Sequence, residues 1–464
     1  MADSVVVILA AGQGTRMRSS VSKLLHPLCG RPIVAWPVIA ARAAGVGRVV
    51  VVDAPQRRLA AALDDDVVTV VQERPLGTAD AVRAATDEFA AAGTVLVLNA
   101  DAPLIEADAL RDLLSAHEAS GAVATIVTMT LEDPSGYGRV VRGPDGSVEK
   151  VVETKADGDA SEFERHIREV NTGVFAFDGP ALASALAEVR ADNAQGEYYL
   201  PDVIPILRER ERTVQAFELS DPVQLAQIND RRQLAGVTAM AQARIHERHQ
   251  LAGATIINPA ATVIDAGVEI GADTVIAPFT SLHGATRIGR DARIGPNSTL
   301  IDAIVQDGAR VVHAYIDGAT VGPRASVGPF AYLRPGTVLR EGAKAGTFVE
   351  IKNSDVGAGS KVPHLSYIGD ADIGEDTNLG ASTITSNYDG YRKHRTTIGD
   401  RVKTSVDTTL IAPVTVGDDA YTGAGSVISE DVPPGALGIA RARQQNLDGY
   451  AERRRAREQE GESR

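Results

Sequence analysis

Residues 264–300 read IDAGVEIGADTVIAPFTSLHGATRIGRDARIGPNSTL, and in this stretch Ile264, Ile270, Ile276, Leu282, Ile288, Ile294 and Leu300 recur at unbroken six-residue spacing. A helix repeats every 3.6 residues and a flat strand every two, so neither produces this period. The phase returns at Val321, Val327, Leu333, Leu339, Ala345 and Ile351, and again at Ile398, Thr404, Leu410, Val416, Thr422 and Ile428. A hexad held this long predicts a solenoid in which each of these residues turns inward and stacked coils share one core. Small residues after the inward position, such as Gly271, Gly289, Gly322 and Gly417, allow a tight corner. The phase slips near 305–317 and near 388–397 are expected to be extruded loops, the places where solenoids carry binding residues.

Upstream the pattern changes. Apolar runs at 5–9, 49–52, 67–71 and 95–98 read as central parallel strands, alternating with alanine-rich helices at 33–44, closed by Gly45, and 79–92, closed by Gly93. The βαβα order predicts a doubly wound, Rossmann-like sheet with ligands at the carboxyl ends of its strands. A proline-free segment, 229–251, reads as one connecting helix. The expected domains are therefore 1–228, the helix 229–251, and a solenoid 252–464 whose charged end, 452–464, frays.

With 464 residues the chain exceeds what one core usually organises, and scarce aromatics (4%) beside 44 glycines suit repetitive β architecture. A net charge of -14 argues against a general nucleic-acid or membrane surface, which needs clustered positive charge. The single cysteine, Cys29, reads as a small buried hydrophobe and fits a reducing cytoplasm. No apolar run approaches the length of a membrane helix.

The chemistry begins directly after the first strand, at Leu9-Ala10-Ala11-Gly12-Gln13-Gly14-Thr15-Arg16-Met17. Glycine-rich backbone N–H groups there can approach a polyphosphate, with Arg16 and Lys23 supplying positive charge. Asp101 alone would be an ordinary strand-end turn residue. In order with Pro75-Leu76-Gly77-Thr78-Ala79 and Asp101-Ala102-Pro103-Leu104, however, the loop resembles the sugar-phosphate nucleotidyltransferases. Gly136-Tyr137-Gly138-Arg139, Val152-Glu153, Asn171-Thr172-Gly173 and 193–199 (NAQGEYY) narrow the resemblance, and with the hexads it covers nearly the whole chain. The chain is similar throughout to the bacterial bifunctional N-acetylglucosamine-1-phosphate uridyltransferase/glucosamine-1-phosphate acetyltransferase family.

That resemblance implies a left-handed parallel β-helix, and a uridine nucleotide bound by Leu9, Ala10, Ala11, Gly12, Lys23, Gln72, Gly77 and Thr78. Gly138, Glu153, Asn171 and Asn229 would contact the sugar, and Asp101 and Asn229 would hold Mg²⁺. The residue types suit the reaction, because a sugar phosphate itself attacks the α-phosphorus of UTP and the protein need only position groups and neutralise charge. Arg16 and Lys23 would stabilise the pentavalent charge and the leaving pyrophosphate. One departure is Asn99-Ala100-Asp101, where the family usually has glycine before the aspartate; a methyl there is costly if the position needs a positive φ.

In the solenoid, Arg334-Pro335-Gly336, 348–352 (FVEIK), 363–370 (PHLSYIGD), Asn378 and Asn387-Tyr388-Asp389-Gly390 carry the acetyltransferase resemblance. It implies His364 as general base, Arg334 and Lys352 on the sugar phosphate, Tyr367 and Asn378 on the sugar, and Ala381, Asn387, Tyr388, Ala424 and Arg441 at acetyl-CoA. An amine attacking a thioester must lose a proton, which an imidazole accepts at neutral pH. A lone histidine in a solenoid is more often structural, and His283 and His313 keep that reading. Val406 stands where the family's cofactor-contacting serine would fall, so that contact is not carried over. The family also implies a homotrimer. Two other readings are an acetyltransferase with an altered or inactive nucleotidyltransferase half, motivated by Ala100, and a noncatalytic sugar-nucleotide sensor or assembly subunit.

Overall fold

The computed structural model describes residues 3–154, 160–193 and 195–461. Two compact units result, Met1–Ile245 and His246–Arg464, so by packing the boundary falls inside the long helix Arg231–Leu251 rather than at either of its ends. Ala194, in the NAQGEYY segment, lies outside the described residues.

The first unit is built on a nine-stranded sheet with main order Val214–Glu218, Ala124–Thr130, Glu169–Phe177, Thr94–Asn99, Ser4–Leu9, Arg48–Asp53, Val68–Val71. The four strands foreseen in the sequence are its parallel half. The sheet is mixed, because Glu169–Phe177 runs antiparallel to both of its neighbours and carries the hairpin Gly138–Arg142/Val148–Val152 on its end. Val5, Val7, Val50, Val52, Val95 and Val97 lie on one buried face, in the core with Phe89, Phe175 and Phe177. The expected helix 79–92 is broken into Thr78–Arg83 and Thr86–Phe89, since the Thr86 hydroxyl donates to the Arg83 carbonyl (2.7 Å) at the joint. Gly45 closes its helix at φ 82°, whereas Gly93 is no left-handed cap; its N–H donates to the Asp3 carbonyl (3.1 Å).

The second unit is a three-faced parallel β-helix, with stacked sheets of seven, ten and nine strands. Every hexad residue named from the sequence is buried, from Ile264 and Ile270 through Thr404 and Thr422 to Ile428. Glycine is required at the corner after Ile270, where a Cβ on Gly271 would come within 2.6 Å of the Gly289 carbonyl group. Inward hydroxyls also stitch coil to coil: Thr274 Oγ1 donates to the Gly289 carbonyl (2.7 Å) and accepts from the Ala292 N–H (3.0 Å).

The two phase slips have different outcomes. Around 305–317 no loop is extruded; Val305, Val311 and Ile316 stay buried, and the coil from Leu300 to its partner Ile316 is closed with fewer residues than the one from Leu282 to Leu300. Near 388–397 the chain does leave the prism, in a small excursion closed by a Tyr388–Lys393 bridge. Asp389 anchors it, accepting from the N–H groups of Arg392 (2.6 Å) and Tyr391 (2.7 Å) and from His394 Nε2 (2.7 Å), which with the Arg392 N–H leading hold its carboxyl down at about 2. The end of the chain, expected to fray, forms a helix, Tyr450–Gly461, rich in good helix formers and carrying an Arg454–Glu458 pair (3.3 Å) one turn apart.

On the connecting helix His249 is buried, and burial, then Arg248, then His246, lower its pKa to about 4. Between that value and the ordinary 6.5 the unfolded chain binds the extra proton, so stability falls as pH falls through this window. Wild type is expected to lose about 3 kcal/mol more than His249→Gln between pH 7 and pH 4. Urea unfolding curves of the full chain check this; equal losses would show that His249 is not the sensitive group.

Candidate active sites

Three of the parallel strands, Ser4–Leu9, Val68–Val71 and Thr94–Asn99, bring their carboxyl ends to one cleft of about 510 Å³. Leu9, Ala11, Gly12, Arg16, Gln72, Gly77, Thr78, Asp101, Gly138, Glu153, Asn171 and Asn229, separated by up to 220 positions in sequence, all line it. Ala10 does not; it is buried, and its N–H donates to the Val52 carbonyl (2.9 Å).

The charged centre lies at the end of Thr94–Asn99. Lys23 Nζ is 2.7 Å from Asp101 Oδ2 and 3.3 Å from Asn229 Oδ1, and Arg16 Nη2 donates to the same Asn229 oxygen at 3.0 Å. Lys23 is nearly buried and is pressed against the glycine loop: Gly14 has φ 60°, and a Cβ there would lie 2.7 Å from Lys23 Cβ. Asn229 is brought in because the preceding Ile228 N–H donates to the Asp101 carbonyl (2.9 Å). Burial and the Asp101 carboxylate raise the Tyr137 phenol above its ordinary range.

Several expected contacts are structural at rest. The Thr78 hydroxyl accepts from the Leu200 N–H (2.9 Å), and Gly77, with φ 118°, lies so close to Tyr198 that a Cβ would meet its carbonyl oxygen at 2.4 Å. Asn171 Oδ1 accepts from the Gly173 N–H (3.0 Å). Ala100 is fully buried, is absent from the positive-φ residues, and donates its N–H to the Leu9 carbonyl (3.1 Å), so the methyl sits in the core, and Ala100 is not among the residues that line the cleft. A second recess of about 870 Å³ shares Glu153, Tyr199 and Pro201 with the cleft. In its wall burial, then Glu153, push Asp202 up to about 6.

In the β-helix, Arg334, Lys352 and Tyr367 gather at one edge. Arg334 Nη1 is 2.9 Å from Glu350 Oε1, and that bond raises the guanidinium's pKa. Lys352 Nζ is 3.3 Å from Asp370 Oδ2, which also accepts from Asn387 Nδ2 at 2.5 Å, so Asn387 is buried and committed to Asp370. Lys393, from the 388–397 excursion, was missed in the sequence. The neighbouring Lys352 charge pushes Lys393 down and Arg334 adds to the effect, while the Asp370 carboxylate partners Lys352. Three cations crowded this way suit a dianionic phosphate.

His364 ends the strand Lys361–His364 and is exposed, and among the described residues nothing hydrogen-bonds its ring. Backbone bonds chain its corner to those below: Ser382 N–H to the His364 carbonyl (3.2 Å), Asp407 N–H to Ala381 (2.8 Å), and Gly425 N–H to Val406 (3.0 Å). Ala381 and Ala424 therefore sit along the corner that carries His364. Asn378 pairs with Lys361 and Lys403 on the adjoining face, and Tyr388 is exposed on the excursion. Arg441 is exposed, with no polar partner among the described residues. His283 pairs with Asp265 (3.3 Å), the His313 ring packs against Phe330 at a tilt of 42°, and buried Cys29 accepts from Gln242 Nε2 (3.1 Å).

Comparison with known proteins agrees with both halves. A MobA-like NTP transferase domain profile matches residues 6–196, and a bacterial transferase hexapeptide (six repeats) profile matches 267–302. The chain is 49% identical to a bifunctional protein GlmU of Mycolicibacterium vanbaalenii, over 98% of this chain and 94% of that relative. It is 48% identical to those of Streptomyces avermitilis (97% and 95% covered) and Mycobacterium tuberculosis (98% and 93%).

Proposed function

The chain belongs to the bifunctional GlmU family, and from that premise we propose how its two sites divide the work. It is a bifunctional transferase of UDP-N-acetylglucosamine synthesis, using acetyl-CoA and UTP as substrates. The solenoid half acetylates glucosamine 1-phosphate, and the N-terminal half uridylylates the N-acetylglucosamine 1-phosphate so formed, releasing pyrophosphate. The functional division follows 1–228 and 252–464, with Asn229, just before the connecting helix, drawn into the first site.

The observation that carries the uridylyl reading is the convergence of Asp101, Asn229, Lys23 and Arg16 where the parallel strands end. Two oxygens, Asp101 Oδ2 and Asn229 Oδ1, already converge on one cationic group, so the donor set fits Mg²⁺, which favours oxygen ligands and completes its shell with waters and substrate phosphates. Bound there, the metal would neutralise phosphate oxygens. Lys23 would offer its ammonium to the polyphosphate and Arg16 would cover the leaving pyrophosphate, while the backbone of Leu9, Ala11 and Gly12 holds the nucleotide. Glu153, Asn171 and the Gly138 backbone orient the sugar so that its phosphate attacks the α-phosphorus in line.

In the solenoid, His364 takes the proton lost by the amine, while Arg334, Lys352 and Lys393 hold the sugar phosphate beside Tyr367 and Asn378. Acetyl-CoA runs along the corner of Ala381 and Ala424, reaching Asn387, Tyr388 and Arg441. A trimer fits this half. Phe330, Phe348 and Leu365 form an exposed apolar ladder beside His364, with the two phenyl rings stacked 5.2 Å apart, a patch of the kind that covers itself with another copy. Among the described residues no helix is long and apolar enough to cross a membrane, and both substrates point to work in the cytoplasm.

Running each half-reaction separately on samples of measured mass tests the scheme. Pyrophosphate release should require UTP, Mg²⁺ and N-acetylglucosamine 1-phosphate, thiol release should require glucosamine 1-phosphate, and the active species should be three chains. A fully active monomer would refute the need for the trimer, and absent pyrophosphate release would refute the uridylyl half.

A further inference from the structure

The structure assigns the choice of base to Asp80, a residue that does not line the cleft and acts through Gln72; the inference rests on the uridylyl reading above. Gln72 lines the cleft with its side chain almost wholly buried. Its Nε2 donates twice, to the Gly77 carbonyl (3.1 Å) and to Asp80 Oδ2 (2.9 Å). A primary amide has two N–H donors and one acceptor oxygen, and both neighbours are acceptors only. Turning the amide over would set Oε1 against a carbonyl and a carboxylate, so its orientation is fixed by chemistry. Among the described residues Oε1 accepts no hydrogen bond. What Gln72 offers to a ligand is therefore an acceptor alone.

Both anchors are held from behind. The Gly77 backbone is tied to Tyr198 through the Tyr198 N–H to Leu76 (2.8 Å) and the Ala79 N–H to the Tyr198 carbonyl (2.9 Å). Asp80 lies in the first turn of Thr78–Arg83, 3.8 Å from Arg83 Nη1, and Arg83 lies over the Tyr198 ring and donates to the Leu186 carbonyl (2.7 Å). A fixed acceptor selects a base whose edge presents a ring N–H, as the imide of uracil does. It rejects cytosine, whose N3 presents a lone pair. Asp80 is thus a positioning residue that sets specificity: without its carboxylate only the Gly77 carbonyl opposes the flip, and a flipped amide would donate to cytosine N3.

The test uses the full chain with N-acetylglucosamine 1-phosphate and compares kcat/KM for UTP and for CTP in wild type, Asp80→Ala and Asp80→Asn. Alanine favours the helix here, and a thermal transition verifies folding. Asp80→Ala should lower the UTP-over-CTP ratio by about tenfold or more, through KM for UTP, with KM for the sugar phosphate unmoved. Asp80→Asn, whose Oδ1 still accepts, should restore most of the ratio. An unchanged ratio in Asp80→Ala, or equal losses for both nucleotides, overturns the assignment and leaves the uridylyl reading standing. Wild type that releases no pyrophosphate from UTP removes that reading, and the assignment with it.

Discussion

Replacing His364 with alanine is expected to slow acetyl transfer by about two to four orders of magnitude while pyrophosphate release from UTP is unchanged. The amine of glucosamine 1-phosphate can form a bond to the thioester carbonyl only as it loses a proton, and His364, the proposed base, is exposed at the end of the strand Lys361–His364. The phosphate end of the substrate is assigned to other residues, Arg334, Lys352 and Lys393, so the loss should fall on kcat with KM for the sugar phosphate little moved. Uridylyl transfer should be indifferent, because its residues belong to the other compact unit. A fall of less than tenfold, or one that appears only in KM, would reduce His364 to a binding contact and require another base.

The solenoid was legible because burial there depends on one variable: a residue six positions on faces the core whenever each side of the triangle has its full length. The same rule explains the failure at 305–317. Shortened sides look in sequence like a loss of phase, although Val305, Val311 and Ile316 still turn inward. In the first unit the parallel strands were visible as continuous valine runs, but the direction of Glu169–Phe177 is set by its partners and leaves no mark on its own composition. Thr86 looked like an ordinary helix residue until its hydroxyl was seen to take the Arg83 carbonyl.

The sites divide in the same way. Asp101, Lys23 and His364 sit within motifs and could be named, whereas Lys393 comes from an excursion without period, and its proximity to Lys352 depends on how Asp389 folds that excursion. The lock on Gln72 is likewise tertiary in kind, although its partners are only five and eight positions away, because it needs Gly77 in a left-handed conformation against Tyr198. The concern over Ala100 ran the other way: the residue type suggested a cost that the backbone, with ordinary φ, does not incur.

Asp101→Ala should reduce uridylyl transfer by about two to three orders of magnitude and leave acetyl transfer intact, measured as pyrophosphate and thiol release from the same sample. It should also destabilise the first unit by about 1–3 kcal/mol, since Lys23 keeps its ammonium nearly buried with, among the described residues, only the Asn229 oxygen as partner. The two effects separate in the double variant with Lys23→Ala. Removing the orphaned ammonium should recover much of the lost stability, because the cost of the single change lies in an uncompensated charge. Activity should not return, because Asp101 is assigned to the metal and Lys23 to the polyphosphate, and the double variant lacks both. A double variant that regained uridylyl transfer would show that Asp101 serves only to compensate the Lys23 charge and that neither side chain is needed for the chemistry, and the metal assignment would then have to move elsewhere in the cleft.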